Sequence, residues 1–239
     1  MDITQNVNSV RERIDAAARR CGRDPRSILL CAATKTNGSD RVREAIAAGV
    51  DICGENRVQE LLTKLGEGAY TGCPLHFIGV LQRNKVRQIV GKVELIHSVD
   101  SVALAAEIDK RAAALGIVQD ILLEVNIGAE ESKSGFSPSE LEAAVDETAR
   151  FGSVRVRGFM TIPPVCSDPE KNRIYFSQMN KLFVDIGRKK YDNNRVCIDT
   201  LSMGMSSDYE VAVEEGATIV RVGTGIFGAR SYAAATEVH

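Results

Sequence analysis

The sequence lacks the features that mark several large classes of protein. No apolar run reaches 18 residues, and the N-terminal stretch has no continuous apolar segment of the kind found in signal peptides. The six cysteines are scattered without a CxxC pair, which argues against a zinc ribbon or a thioredoxin-like site. We therefore expect a cytoplasmic protein with buried, reduced thiols, no metal and no membrane contact.

An excess of positive charge is also missing. The formal net charge is -2, and the acidic and basic residues are interspersed, so there is no basic stripe for a nucleic acid to bind. Hydrophobic residues make up 44% of the chain and charged residues 26%, which are ordinary values for a folded globular protein. Small anions remain accessible to local groups, and we expect a small molecule rather than a nucleic acid as ligand.

Short apolar runs rich in Ile, Val and Leu alternate with longer amphipathic stretches, which is typical of βα units with a parallel sheet. Eight runs predict strands at residues 28–33, 50–54, 75–79, 94–98, 120–126, 154–161, 198–203 and 218–222. The length of 239 residues is close to the roughly 250 residues typical of such barrels. The sequence therefore predicts one α/β domain over residues 1–239, a (β/α)8 TIM barrel with an extra N-terminal helix.

An open doubly wound sheet is the alternative architecture, although no GxGxxG motif follows the first strand. Local signals also suggest helix ends. Ser39-Asp40 and Ser137-Pro138 predict N-caps, and Gly49, Gly116 and Gly216 stand where a glycine commonly follows a helix.

Lys35 stands directly after the first apolar strand, ILLCAAT. The active sites of TIM barrels lie at the carboxyl ends of the strands, where partial burial can lower the pKa of a lysine and leave a nucleophilic amine. On position alone, a solvated loop lysine explains Lys35 at least as well.

The last two predicted strands end in sequences suited to binding a phosphate. The seventh runs through Met203 to Ser206, and the eighth continues from Arg221 into Gly223 and Thr224. Loops after strands seven and eight form the usual phosphate site of TIM barrels, and backbone N–H groups can hold the anion there. The glycines alone could be simple turn residues. Combined with a lysine on the neighbouring first strand, however, these loops provide what pyridoxal phosphate requires, an amine and a phosphate site.

Several long motifs occur in an order that resembles the pyridoxal-phosphate homeostasis (YggS/PROSC) family, whose barrel is related to the N-terminal domain of alanine racemase. They are AATKT around Lys35, GENRVQELLTK at 54–64, HFIGVLQRNKV at 76–86, EVNIGAEESKSGF at 124–136 and LSMGMSSDYEVAVEEGATIVRVGTGIFGAR at 201–230. The resemblance implies that Lys35 forms a Schiff base with pyridoxal 5′-phosphate. It also implies that Ser206, Gly223 and Thr224 surround the phosphate and that Arg221 lies near the pyridine nitrogen.

Two further residues complete the candidate cofactor-binding set. Met203 lies at the end of the seventh strand, and Asn56 belongs to the GEN motif. Asn56 could equally be the N-cap of the following helix. His76 is interpreted as structural, and His97 and Lys133 are left out of the set.

The sequence favours a cofactor carrier over an enzyme. A cation beside the pyridine nitrogen disfavours its protonation and weakens the ring as an electron sink, and Arg221 would have this effect. Racemisation needs a second acid or base, and related racemases take it from an additional β-domain that this sequence does not contain beyond its barrel. We expect a monomer without substantial turnover that handles the cofactor and delivers it to apo enzymes. The alternatives are a pyridoxal-phosphate-dependent racemase or related Schiff-base enzyme, and a barrel that binds another phosphorylated metabolite.

Overall fold

The protein is described from a computed structural model, which covers residues 2–189, 191 and 194–228. Within these residues, eight strands form one closed, wholly parallel barrel in the order of the sequence. They are β1 Leu29–Ala33, β2 Ile52–Glu55, β3 Leu75–Phe77, β4 Leu95–Val99, β5 Gln119–Val125, β6 Val154–Thr161, β7 Val196–Met205 and β8 Ile219–Val222. The predicted (β/α)8 barrel is confirmed, and each predicted strand coincides with an observed one.

The largest boundary difference is in β7, which starts two residues earlier and ends two residues later than predicted. Its first half, Val196–Thr200, is only partly buried, so the sequence there lacks the continuous apolar run of a strand covered on both faces.

Helices cover the outside of the barrel. They are α1 Ile3–Arg20, α2 Ser39–Ala47, α3 Val58–Gly66, α4 Val86–Ile89, α5 Val102–Ala114, α6 Leu141–Thr148, α7 Arg173–Gly187, α8 Tyr209–Glu214 and α9 Thr224–Phe227. The predicted extra helix is α1. It buries Ile3, Val7, Val10 and Ile14 at helical spacing and packs against α8 and α9.

The predicted helix ends are partly right. Gly49, Gly116 and Gly216 follow α2, α5 and α8 with positive φ angles of 97°, 68° and 106°, as expected for glycine after a helix. Both predicted N-caps are wrong. Gly38, not Ser39, precedes the first residue of α2, and α6 begins only at Leu141.

The second wrong cap has a local cause. The backbone N–H and the hydroxyl of Ser137 both donate to the Glu140 carboxylate, at 3.0 and 2.7 Å. This closed turn precedes α6 and ends at Glu140, which is the N-cap residue.

The barrel interior has an apolar layer beneath a polar one. Side chains alternate between the two faces of each strand, so the small cluster formed by residues in or directly beside the strands fills the lumen. Its buried members are Cys31, Ile52, Ile78, Leu95, Leu122, Met160 and Ile219. A larger apolar cluster lies between the sheet and the helices.

All six cysteines are free. Cys31 and Cys53 are buried, whereas Cys21 and Cys197 are exposed, so the expectation that the thiols are buried is wrong for these two. In the part of the chain that the structure describes, no helix has the length and apolar character needed to cross a bilayer.

The β6–β7 pairing depends on Gly158. Its φ angle is 143°, and a Cβ atom there would lie 1.9 Å from the carbonyl oxygen of Thr200. The pairing slips at this point, because Val156 faces Val196 whereas Gly158 faces Thr200. A step of two residues along β6 therefore corresponds to a step of four residues along β7. The two backbones approach each other too closely at this point for residue 158 to carry a side chain.

Gly158→Ala should strongly destabilise the barrel, by about 3 kcal/mol or more, because the new methyl group would force β6 and β7 apart. Urea denaturation followed by circular dichroism measures the change. Gly152→Ala is the matched control, since a Cβ there meets no atom within 4 Å. Similar midpoints for the two variants would show that the close approach does not constrain the sheet.

Candidate functional site at the barrel mouth

A cavity of about 370 Å³ opens at the carboxyl ends of β1, β7 and β8. Its volume is within the usual range for small-molecule sites. It is lined by Ala33, Lys35, Met205, Ser206, Ser207, Arg221, Gly223 and Thr224. Five of the seven residues in the candidate set therefore line one cavity: Lys35, Ser206, Arg221, Gly223 and Thr224.

Lys35 reaches this cavity because β1 pairs with β8. Residues Leu29 to Ala32 run in register with Ile219 to Val222. Just beyond the pairing, a Cβ atom on Gly223 would lie 3.4 Å from the Cβ of Ala33. The backbone two residues before Lys35 therefore packs against the glycine loop that follows β8.

Ser206 is presented by a tight turn after β7. The chain bends toward this turn in the last residues of β7, where Gly204 has a φ angle of 89° and a Cβ atom on it would lie 2.5 Å from the Cβ of Ala212. The buried Asp208 closes it, because one of its carboxylate oxygens accepts from the backbone N–H of Met205 at 2.7 Å. Asn172 donates to the other oxygen at 2.8 Å. Ser206 consequently has a defined backbone.

The Ser206 hydroxyl connects the β7 turn to the β8 loop. Its Oγ accepts from the backbone N–H groups of Gly223 at 3.1 Å and Gly225 at 3.3 Å. Gly223 is the N-cap residue of α9 and Gly225 lies in its first turn, so the two amides converge on one point of the cavity wall. A phosphate oxygen placed there would meet the same donors that now meet the hydroxyl.

Arg221 brings a buried guanidinium to the cavity. Its side chain donates from Nη1 to Ser202 Oγ at 2.6 Å and from Nη2 to the carbonyl oxygen of Thr161 at 2.9 Å. Burial lowers the pKa of Arg221, and acidic groups that include Glu124 and Asp208 act in the opposite direction. The guanidinium is therefore held in one orientation by neighbours on two different strands.

A directed chain of hydrogen bonds continues from Arg221 into the barrel. Ser202 Oγ lies 3.0 Å from His97 Nδ1, and His97 Nε2 lies 2.9 Å from His76 Nδ1. Because Arg221 can only donate, the Ser202 hydroxyl hydrogen is left for His97 Nδ1. His97 then carries its hydrogen on Nε2 and donates to His76. Sequence reasoning left His97 out of the site, but the structure connects it to the site through Ser202.

Burial keeps both imidazoles neutral. It lowers the pKa of His76 to about 4 and that of His97 well below its usual value, and the charge of Arg221 lowers the latter further. The hydrogen bonds that link Arg221, Ser202, His97 and His76 can therefore keep one arrangement of donors and acceptors throughout the neutral pH range.

Met203 does not line the cavity. It is fully buried in the cluster between the sheet and the helices, and Met205 lines the cavity instead. Ser202 points into the barrel, so the alternation of side chains along a strand sends Met203 to the outer face. This alternation was available in the sequence and argues against including Met203.

Asn56 lies beside a separate cavity of about 260 Å³ at the start of α3. The alternative that it caps α3 is wrong, since Arg57 is the N-cap residue. Its Oδ1 atom is buried and has no hydrogen-bond partner among the described residues, although its backbone N–H donates to Glu55 at 2.8 Å. An unpaired buried amide oxygen is costly, so Asn56 is suited to accept a hydrogen bond from a ligand.

Among the described residues, no group of three or more His, Cys, Asp or Glu side chains could hold a metal ion.

Comparison with known proteins gives matches over almost the whole chain. The family model for the alanine racemase N-terminal domain matches residues 5–231. The chain is 45% identical over 232 residues to the pyridoxal phosphate homeostasis protein of Aquifex aeolicus, covering 97% of this chain and 100% of the relative. It is 40% identical over 235 residues to the protein of the same name from Escherichia coli K12, covering 97% and 98%. The structure of PipY from Synechococcus elongatus with pyridoxal phosphate bound has a TM-score of 0.76 at 35% identity, covering 92% of this chain and 100% of that chain.

The ionisation of Glu124 near the mouth should make the stability depend on pH. Burial raises its pKa to about 7, Asp100 adds to the rise and Arg221 opposes it. Since the folded-state pKa lies above the unfolded value, this contribution to stability is present below about pH 4.5 and is lost as the pH rises through about 7. Glu124→Gln should remove a decline of about 3 kcal/mol in the unfolding free energy.

Urea unfolding of the wild type and Glu124→Gln between pH 4 and 8 measures this effect. Glu131→Gln is the control, because Glu131 is exposed in the loop after β5. Parallel pH curves for the wild type and Glu124→Gln would contradict the assignment.

Proposed function

Because this chain belongs to the pyridoxal phosphate homeostasis proteins of the alanine racemase N-terminal domain family, we propose that it binds pyridoxal 5′-phosphate at the barrel mouth and holds it as a Schiff base on Lys35. The single observation that carries the proposal is the shared cavity. It brings Lys35, the amides around Ser206 and the Arg221 guanidinium to one small-molecule site.

Each part of the cavity suits one part of the cofactor. The backbone amides of Gly223 and Gly225 and the hydroxyls of Ser206 and Thr224 would hold the phosphate. The bound cofactor supplies an electrophilic aldehyde. The Lys35 nitrogen would bond to the aldehyde carbon, and the aldehyde oxygen would leave as water. Hydrolysis reverses this step, so the attachment permits release.

Arg221 favours storage of the cofactor over catalysis with it. A guanidinium beside the pyridine nitrogen donates a hydrogen bond to it and disfavours its protonation. An unprotonated ring withdraws electrons weakly, which limits chemistry at an attached amino acid. The hydrogen bonds of Arg221 to Ser202 and Thr161 would keep the guanidinium beside the pyridine nitrogen. We therefore propose a carrier with little turnover, acting as a monomer in the cytoplasm and passing the cofactor to apo enzymes.

Replacing Lys35 should abolish covalent attachment. Purified wild type titrated with pyridoxal phosphate should develop a yellow imine band that borohydride reduces, and a peptide map should place the reduced adduct on Lys35. Lys35→Ala should lose the band while it still binds the phosphate with reduced affinity, because the amides and Arg221 remain. Lys181→Ala is the control, since Lys181 is exposed on α7 and pairs with Asp185.

A Lys35→Ala protein that kept the imine band would show that another lysine is used. A wild type that bound a phosphorylated ligand without any reducible adduct would favour a different phosphorylated metabolite.

The loaded protein should transfer its cofactor without consuming amino acids. Incubation with an apo enzyme that requires the cofactor should restore that enzyme's activity, whereas assays with individual amino acids should give no sustained racemisation or cleavage. Robust turnover of a specific amino acid that depends on Lys35 would favour the Schiff-base enzyme instead.

A further inference from the structure

A buried polar cluster fixes the backbone on both sides of Lys35. Thr34, which precedes it, is fully buried. Thr36, which follows it, has a φ angle of 62°, a left-handed conformation that β-branched residues rarely adopt. The two neighbours of the lysine are thus a buried residue and a strained one, and both are held by side chains of the second βα unit.

Thr34 is held by an ion pair inside the barrel wall. Glu55, at the end of β2, has no exposed side-chain surface, and its Oε2 accepts from Thr34 Oγ1 at 2.9 Å and from Lys64 Nζ at 2.7 Å. The same ammonium donates to the carbonyl oxygen of Thr34 at 2.8 Å. Tyr70 adds a further donor to Oε2 at 3.2 Å. Both the side chain and the carbonyl of Thr34 are therefore fixed.

Thr36 is held by a second carboxylate, one helical turn from Lys64. Glu60 Oε2 accepts from the backbone N–H of Thr36 at 2.7 Å and lies 3.5 Å from Lys64 Nζ. This charge-assisted hydrogen bond is made in the strained conformation of Thr36 and offsets part of its cost. Glu60 and Lys64 thereby couple the strained residue to the buried pair.

Barrel stability alone does not account for this cluster. A buried ion pair usually stabilises no more than apolar side chains of the same volume, because both charges lose their hydration. What apolar packing cannot provide is a set of directed bonds to Thr34 and Thr36. The three charged groups of β2 and α3 therefore orient the segment that carries Lys35.

We propose that Glu55, Glu60 and Lys64 are positioning residues that orient Lys35 toward the aldehyde of the bound cofactor. The inference rests on the proposed function, because it assumes that Lys35 forms the Schiff base. It assigns a role to the second βα unit, which contributes none of the residues that line the cavity.

The test separates attachment from phosphate binding. Pyridoxine 5′-phosphate has the same ring and phosphate but no aldehyde, so its affinity reports the site without Lys35 chemistry. Glu60→Ala should weaken Schiff-base formation roughly tenfold and slow the appearance of the imine band, because the segment around Lys35 is no longer held in its reactive orientation. The affinity for pyridoxine 5′-phosphate should stay within about twofold of the wild type.

Matched variants complete the design. Glu60→Gln keeps an acceptor for Thr36 and should recover much of the band. Glu107→Ala removes the carboxylate of a comparable i,i+4 pair with Arg111 on α5 and should behave as the wild type. Lys64→Met alone would leave Glu55 unpaired in the interior and could unfold the barrel. The double variant Glu55→Gln/Lys64→Met avoids this and should also lose attachment selectively.

Equal losses of pyridoxal phosphate and pyridoxine 5′-phosphate binding in Glu60→Ala would overturn the inference, since the cluster would then shape the whole site. Unchanged attachment in both Glu60→Ala and the double variant would overturn it as well. A wild type without any adduct on Lys35 would refute the proposed function itself, which is a different result.

Discussion

The pairing of β1 with β8 is the constraint on which the candidate site depends. Barrel closure brings residues from the two ends of the strand sequence side by side, with Leu29 opposite Ile219 and Ala32 opposite Val222. Lys35 follows the first of these strands, Arg221 lies in the second, and Gly223 follows the second directly. The glycine at 223 lets the two chain segments approach at the mouth. If the sheet were open, the amine and the amides would lie at opposite edges.

Around this closure, the structure combines apolar filling with directed polar contacts. The lower lumen is filled by aliphatic and sulfur-containing side chains, as in other parallel barrels. Nearer the mouth, the polar groups hold one another in defined arrangements. Arg221 is fixed from within by Ser202 and Thr161, and the segment around Lys35 is fixed from the outer side by Glu55 and Lys64. The two groups that would meet the cofactor are thus supported by separate sets of bonds.

Much of the fold could be predicted from the sequence because the strands of a parallel barrel are covered on both faces and appear as apolar runs. The same logic located the site, since the carboxyl ends of β1, β7 and β8 are defined by those runs. The two N-cap predictions were wrong for different reasons. Ser39 is already the first residue of α2, whereas Ser137 and Pro138 belong to the turn that precedes α6. The side chain of Met203 lies away from the cavity because side chains alternate along β7 and that of Ser202 faces the lumen.

Other features depend on contacts between residues far apart in the sequence, which local patterns do not reveal. His97 meets Ser202 across the lumen, 105 positions along the chain. Glu55 and Lys64 lie within the recognised GENRVQELLTK motif, but their bonds to Thr34 become apparent only once β1 and β2 are side by side. The sequence shows that these residues are present, whereas the hydrogen bonds between them can be seen only in the folded structure.

The interior row of Arg221, Ser202, His97 and His76 has a consequence for how this protein can vary. Every link uses one donor and one acceptor, so the two imidazoles are complementary halves of a single arrangement. Replacing one histidine by an aliphatic residue would leave a buried ring nitrogen of the other without a hydrogen-bond partner. This would lower the free energy of unfolding by about 1–3 kcal/mol. Substitutions at positions 76 and 97 should therefore occur together, so homologous chains should either retain both histidines or replace both.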